Sequence, residues 1–350
     1  MAGRTAIGLD IGTSGVRAAE LSFGKGGVTL ERFGQIAVPE GAVRDGEVID
    51  TAAVAHAIKQ LWAHTRFSHK NVVMGVANQR VIVRQVDLPW MPIAELKESL
   101  PFQVQDFLPM PVDQTLLDFH PLEEVQGASG ARLLRGLLVA AAREMVLSNV
   151  RAVEQAGLKP AMVDLTSFAV LRSVANIGVV DNEIEALVDI GARVTNIVVH
   201  SGGVPHFVRI LLMGGQDVTD AVASNLGVSH EEAEALKHEL GSGSSSDSGA
   251  AAGRVADVTA ATLVDEIRGS LDYYMSSTPH GPVQRVVLTG GGSRLRGLVD
   301  RMAASTRVPV VVGDPLGSLH LGRTGLSDDQ VRHVQHLAAV PVGLALGASS

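Results

Sequence analysis

Over residues 6–38 an alternating apolar pattern is cut by Gly12, Gly15, Gly24, Gly26 and Gly27, which predicts three strands joined by tight turns. A helix follows. Asp50 or Thr51 can cap it, with Val54, Ile58, Leu61 and Trp62 on one face, and residues 72–77 then return as a strand. From residue 88 the prolines at 89, 92, 101, 109, 111 and 121 surround a helical stretch carrying Leu96, Leu100, Val104 and Phe107. Pro101 inside it costs about 3 kcal/mol and predicts a kink or break. Beyond the QGASG turn the pattern predicts a buried strand over 133–142, a helix over 143–155 ended by Gly157, a strand at 161–163 and a helix over 167–175.

The second half opens near Glu185 with strands at 186–190, 196–200 and 205–210, then a helix from about Gly215. Ser229 and Glu232 make a capping box for the next helix, which reaches about residue 240. Residues 241–253, GSGSSSDSGAAAG, are of low complexity and predict a disordered loop. A long helix with Leu263, Val264, Ile267, Leu271 and Tyr274 leads to the apolar run 286–288, the glycine turn TGGGSRLRGL and a strand at 308–312. Periodicity alone says α/β, and 350 residues exceed one ordinary core, so two lobes are expected.

Composition narrows the partners. A formal charge of −8 with no Lys/Arg cluster argues against nucleic acid. The absence of cysteine excludes disulfides and cysteine–zinc sites and is compatible with a reducing cytoplasm. No signal-peptide pattern opens the chain and no apolar run reaches the roughly 20 residues of a span. The uncharged tail 337–350 is short, contains Pro341 and lacks a basic amphipathic helix, so any membrane association is expected to be indirect. The twelve histidines have no metal-ligand spacing.

The chemistry concentrates in one stretch and its echo. Residues 7–21 read IGLDIGTSGVRAAEL, and residues 187–200 read LVDIGARVTNIVVH: in each, an apolar run ends in Asp-Ile-Gly, a polar turn follows, and a second apolar run begins. Inward-facing amides of such turns make a nest for phosphate oxygens, and glycine permits close approach. The aspartates oppose that reading, because a carboxylate about 4 Å from a phosphate charge is repelled by roughly 4 kcal/mol at an effective dielectric near 20. Mg²⁺ removes the conflict, with Asp10 and Asp189 holding the hydrated ion. A single Asp-Gly strand end would be an ordinary turn; the repeat tips the balance. There is no G-x-S-x-G elbow and no G-x-x-x-x-G-K-[ST] loop.

These three glycine motifs, in this order, resemble the actin-like ATPase superfamily, with two phosphate loops and an adenosine-side loop. Within it the chain resembles the PilM family of type IV pilus assembly, and more distantly the FtsA family. The same order of motifs continues in GAVRDGEVID from Gly41, LPWMPIAELKESLPFQVQDFLPMPVDQ from Leu88, LLVAAAREMVLSNVRAVEQAGLKPAMVDLTSFAVLR from Leu137 and GVPHFVRILLMGGQDVTDAVASNLGVSHEEAEALK from Gly203. The resemblance implies an actin-like (ribonuclease H-like) two-lobed ATPase fold with a small FtsA/PilM-type inserted subdomain. Its divisions are 1–87 for the first lobe, 88–159 for the insertion, 160–184 for the first lobe continued, 185–325 for the second lobe including the loop 241–253, and 326–350 for the return to the first lobe.

The resemblance also implies site residues. The first phosphate loop is Asp10, Gly12, Thr13 and Ser14, and the second is Asp189, Gly191, Thr195 and Asn196. Arg17 and Arg193 stand where lysine or small residues are commoner, reaching phosphate or solvent. Gly214 and Gly215 lie at a helix start, where the dipole favours anions. Glu234 and Lys237 match positions near ribose and purine, or form a plain i,i+3 ion pair. Gly290, Gly291, Gly292, Ser293 and Leu295 match the adenosine loop, and no catalytic residue can be named. The implied function is a cytoplasmic scaffold that binds ATP and Mg²⁺ with slow turnover. It would grip the N-terminal cytoplasmic peptide of a PilN-like single-span inner-membrane protein, with other pilus assembly proteins as further partners, and so sit peripherally at that membrane. Two alternatives stay open: a small-molecule kinase of the same superfamily, with Asp164 a conceivable base, and an FtsA-like division protein, disfavoured by the missing basic helix.

Overall fold

The computed structural model describes residues 4–128, 130–175, 183–242, 247–277 and 280–348. Strands β1 (Arg4–Ile11), β2 (Gly15–Gly24) and β3 (Gly27–Ala37) form an antiparallel meander, followed by the small ribbon β4 (Val43–Arg44) and β5 (Glu47–Val48). Helix α1 (Thr51–Thr65) starts where Asp50 Oδ1 accepts from the Ala53 amide at 2.9 Å. It buries Val54, Ile58 and Leu61 on the meander and leads to β6 (Asn71–Val76), parallel to β1.

The chain then leaves this sheet. Strand β7 (Val81–Pro89), helix α2 (Ile93–Gln103), β8 (Thr115–Gln126) and β9 (Arg132–Ala142) make a separate antiparallel sheet in the order β7-β9-β8, with α2 against it. The insertion expected at 88–159 therefore has a β-sheet that begins at Val81, whereas the next helix, α3 (Arg143–Gln155), buries Ala152 and Val153 in the first core beside α1. Pro101 does not break α2 where it stands. The helix continues to Gln103, held by Leu96, Leu100 and Val104 in one apolar cluster, and the Val104 amide still donates to Leu100 O at 3.1 Å. Strand β10 (Lys159–Leu165) returns parallel to β6, and α4 (Thr166–Val174) follows.

The second half repeats the plan. Strands β11 (Ile184–Ile190), β12 (Thr195–Ser201) and β13 (Val204–Leu211) form a meander, and helices α5 (Gly215–Leu226), α6 (His230–Ser242) and α7 (Asp247–Ser277) come next. Strand β14 (Arg285–Thr289) lies parallel to β11, then α8 (Leu298–Thr306) and β15 (Val310–Val312), parallel to β14. The disordered loop expected at 241–253 is corrected at both ends: Gly241 and Ser242 finish α6, and 247–253 open α7. Alanines at 250–252 favour helix and Ala252 is buried against α5 and α6. Residues 243–246 lie outside the described residues.

The sheets run β3-β2-β1-β6-β10 and β13-β12-β11-β14-β15, so both have the strand order third, second, first, fourth, fifth. The first gains β16 (His320–Leu321), paired with β3 as the chain returns, before α9 (Asp328–Gln335) and α10 (Ala339–Gly347). Between the sheets lies a shared layer. Ala169 and Val170 of α4 and Val340 and Leu344 of α10 pack with Val73 of one sheet and Leu187, Val198, Val208 and Val287 of the other. The approach is at backbone distance: a Cβ on Gly343 would lie 1.7 Å from Ala169 O, and one on Gly8 2.0 Å from Pro341 O. No helix among the described residues is long and apolar enough to cross a membrane.

Candidate functional site

In each sheet the first hairpin turns at the carboxyl end of its first strand. The Gly12 amide donates to Gly15 O at 3.0 Å, and the Gly191 amide donates to Val194 O at 2.9 Å. At the two tips the amides of Thr13, Ser14, Ala192 and Arg193 have no backbone acceptor among the described residues. Both tips face one cavity of about 500 Å³ between the sheets. This is where an open α/β sheet holds ligands, outside the carboxyl ends of its strands.

Asp10 and Asp189 occupy equivalent registers, opposite Arg17 and Asn196. Their surroundings differ. Arg17 Nη1 reaches Asp10 Oδ2 at 3.5 Å and its Nη2 donates to Ser14 Oγ at 3.2 Å, so Arg17 ties the first loop to its own carboxylate. Asp189, 6% exposed, makes no ion pair among the described residues, although the charge of Arg17 acts on it. It accepts from Asn196, whose orientation is fixed because Asn196 Oδ1 accepts from Ser167 Oγ at 3.1 Å. Burial raises the Asp10 carboxyl above the usual carboxylate value despite Arg17. Burial, and then the charge of Asp10, push Asp189 up to about 7.

The helix start expected to cradle phosphate is otherwise engaged. The Gly214 amide donates to Asp217 Oδ2 at 2.7 Å, and the amides of Gly215 and Gln216 donate to Gly191 O and Ala192 O at 2.9 and 2.7 Å. The first turn of α5 thus fixes the second hairpin, and a Cβ on Gly214 would fall 2.4 Å from Gly191 O. Arg193 pairs with Asp217 at 3.2 Å and with Asp220, bound to α5 on the cavity wall. Lys237 Nζ donates to Glu234 Oε2 at 2.6 Å, Thr219 Oγ1 at 2.8 Å and Gly215 O at 3.1 Å, so the Glu234–Lys237 pair joins α6 to the start of α5 while facing the cavity. Burial works to raise the Glu234 carboxyl, but Lys237 and the Thr219 hydroxyl outweigh it and hold it below its ordinary value.

The third glycine loop closes on the end of β11. Gly290 has φ +80, and a Cβ there would lie 2.4 Å from Ile190 O; one on Gly292 would lie 2.3 Å from Ile190 Cγ2. The expected residues all line the cavity except Thr195, Gly214 and Ser293, which stand behind it. Thr195 Oγ1 donates to Met213 O at 2.7 Å and Ser293 Oγ to Gly290 O at 2.7 Å, so both brace loops. Sequence reasoning missed Thr166, Gly46, Arg294, His333, His336 and Leu337 in the lining. Their only sequence signal was nearness to a motif or a helix end. Asp164 is not in the lining: it pairs with Arg172 and accepts from the Leu165 amide at 2.7 Å, which removes the base on which the kinase alternative relied.

Two equivalent sheets, a shared helical layer and paired hairpin carboxylates define the class: this is an actin-like fold. The MreB5 protein of Spiroplasma citri, solved with ADP, superposes with a TM-score of 0.53 over 99% of this chain and 96% of that one, at 13% identity. Within the class the chain belongs to the family described as type IV pilus assembly protein PilM, whose model matches residues 8–349. A chain solved as a PilM–PilN type IV pilus biogenesis complex is 28% identical, covers 99% of this chain and 98% of its own, and superposes with a TM-score of 0.87. The cell division protein FtsA of Bacillus subtilis is 24% identical over 264 residues, 67% of this chain and 58% of that protein. This chain thus spans little more than half the length of that relative.

Proposed function

We propose that the cavity binds ATP with Mg²⁺ and that the bound nucleotide sets the angle between the two lobes, tuning the grip on a membrane partner. The observation that carries the nucleotide reading is the pair Asp10 and Asp189, placed alike on two hairpins across one cavity. Two buried carboxylates, Asp10 raised by burial and Asp189 by burial and the charge of Asp10, call for a cation, and oxygen donors suit Mg²⁺. Among the described residues no cluster of three or more acidic or histidine side chains could hold a metal, so the ion would also depend on ligand and water oxygens. When bound, the ion would neutralise phosphate charge beside the carboxylates. The tip amides of Thr13, Ser14, Ala192 and Arg193 would hold phosphate oxygens, and the Gly290–Leu295 turn with Glu234 and Lys237 would hold the nucleoside.

The partner is the N-terminal cytoplasmic peptide of a PilN-like single-span protein, which would keep the chain on the cytoplasmic face of the inner membrane. The likeness to the PilM–PilN complex supports this reading, and so does the insertion, where Trp90, Ile93, Phe102 and Phe107 are exposed around α2. Calorimetric titration of that peptide, with and without Mg·ATP, tests the coupling. Nucleotide should tighten peptide binding several-fold, within the usual 5–150-fold of coupled sites. Asp10→Ala should abolish that gain. Equal peptide affinity with and without nucleotide would sink the proposal.

A further inference from the structure

Residues 41–50, GAVRDGEVID, fold into the ribbon β4–β5, which belongs to neither large sheet. Its two-residue turn is Asp45–Gly46, with φ of +52 and +82, the left-handed pair that a tight hairpin requires. Gly46 lines the cavity and presses on the chain leaving the first sheet: a Cβ there would lie 1.8 Å from Ala77 O, and Ala77 lines the cavity too. Residues 77–80 are the root of the insertion, running from β6 into β7. Because β6 lies beside β1 in the register Leu9↔Met74, this root starts on the Asp10 side of the cavity. The turn and the root are fastened together. Asn78 Nδ2 donates to Asp45 O at 2.6 Å, Asn78 Oδ1 accepts from the Arg80 amide at 2.8 Å, and the Arg80 guanidinium pairs with Glu47. The strand leaving the insertion joins them, the Ala142 amide at the end of β9 donating to Arg80 O at 3.1 Å. Behind the turn, Asn149 of α3 accepts from the Val48 amide at 2.9 Å and donates to Gly46 O at 3.3 Å. Asn78 and Asn149 are buried, so breaking either set of bonds leaves polar groups unsatisfied, and hairpin and root move as one body.

We propose that the hairpin β4–β5 carries the state of the cavity to the insertion: an occupant that meets Gly46 and Ala77 shifts the turn, and Asn78 and Arg80 pass the shift to β7 and β9. The inference rests on reading the cavity as a nucleotide site coupled to a partner on the insertion, and adds the route between them. With no side chain at Gly46 and only a methyl group at Ala77, an occupant there meets backbone, and no rotamer change absorbs the contact. The base of the ribbon is fixed, since Val43 and Val48 are buried in the first core with Ile58 and Leu61. Displacement is thus confined to the turn and to the root bonded to it. A nucleotide moves such an element by as much as it binds one position better than the other. Asn78, Arg80 and Glu47 are outside the cavity lining, which separates carrying the signal from binding the ligand.

Calorimetry on the full chain measures the affinity for Mg·ATP, and the affinity for a synthetic N-terminal peptide of the PilN-like partner with and without saturating Mg·ATP. Asn78→Asp keeps the shape and the acceptor for the Arg80 amide but turns the donor to Asp45 O into a second acceptor. It should bind Mg·ATP within about threefold of the unaltered protein, yet cut the several-fold gain in peptide affinity to less than about twofold. Glu47→Ala breaks a partly exposed pair, so it folds even where Asn78→Asp does not, and it should reduce the gain in the same direction. A full gain in both variants would overturn this inference and leave the nucleotide-coupled reading standing. Loss of Mg·ATP binding by a folded variant would also overturn it, because the hairpin would then belong to the binding site and not to the route out of it. No Mg·ATP binding, or no gain in the unaltered protein, would overturn both.

Discussion

Asp189→Asn should stabilise the nucleotide-free protein while weakening its Mg·ATP binding. In the folded chain burial and the charge of Asp10 push the Asp189 carboxyl up to about 7, from an ordinary value of 3.8. Between those values the folded protein holds a proton that the unfolded chain has released, so stability falls as pH rises through this window and stays low above it. At 1.36 kcal/mol per pH unit the loss is about 4 kcal/mol by pH 8. The side chain is 6% exposed, so water screens little of it. The substitution removes the titration, and the amide oxygen it introduces can still accept from Asn196. Urea unfolding midpoints should therefore be alike near pH 4 and diverge with rising pH, the variant leading by several kcal/mol at pH 8. Saturating Mg·ATP at a hundred times its dissociation constant should return about 2.7 kcal/mol to the unaltered protein and little to the variant. A variant no more stable than the original at pH 8 without nucleotide would refute the reasoning about this carboxylate.

Two other outcomes are expected. Gly343→Ala places a Cβ 1.7 Å from Ala169 O, between two helices that cannot both stay in place, and should cost about 3 kcal/mol or more; a thermal midpoint within a degree of the original would count against backbone contact there. Burial, then the charges of His280 and His200, hold His206 down at about 4. Between pH 6.5 and 4 the unfolded chain takes a proton that the folded chain refuses, so stability falls with falling pH. His206→Gln should flatten that acid limb in urea midpoints compared at pH 4.5, 6 and 7.5, and an unchanged limb would contradict it.

The hairpins, their carboxylates and the third glycine loop were legible because their signals are local: apolar runs, glycine punctuation and a motif repeated at the same strand end. Strands β7 and β8 were not read. Pro89 and Pro121 mask the alternation, and β8 is largely exposed, so its apolar side is thin. Helix α7 begins earlier than composition suggested because Ala252 finds a packed site that Gly and Ser around it do not announce. Gly214 and Gly215 stand at the start of α5, yet their amides and that of Gln216 are engaged by Asp217, Gly191 and Ala192, a fact of tertiary spacing alone. His333 and His336 lie some forty residues after the loop they face, in a segment whose local pattern marks only an amphipathic helix.

Because α10 packs on the first sheet and on α4, and α4 reaches both sheets, the duplicated halves are no longer separable parts. Neither half retains a complete core without the other's contact on that layer. A change in the angle between the lobes then has to be taken up within this layer, by α4 shifting against α10.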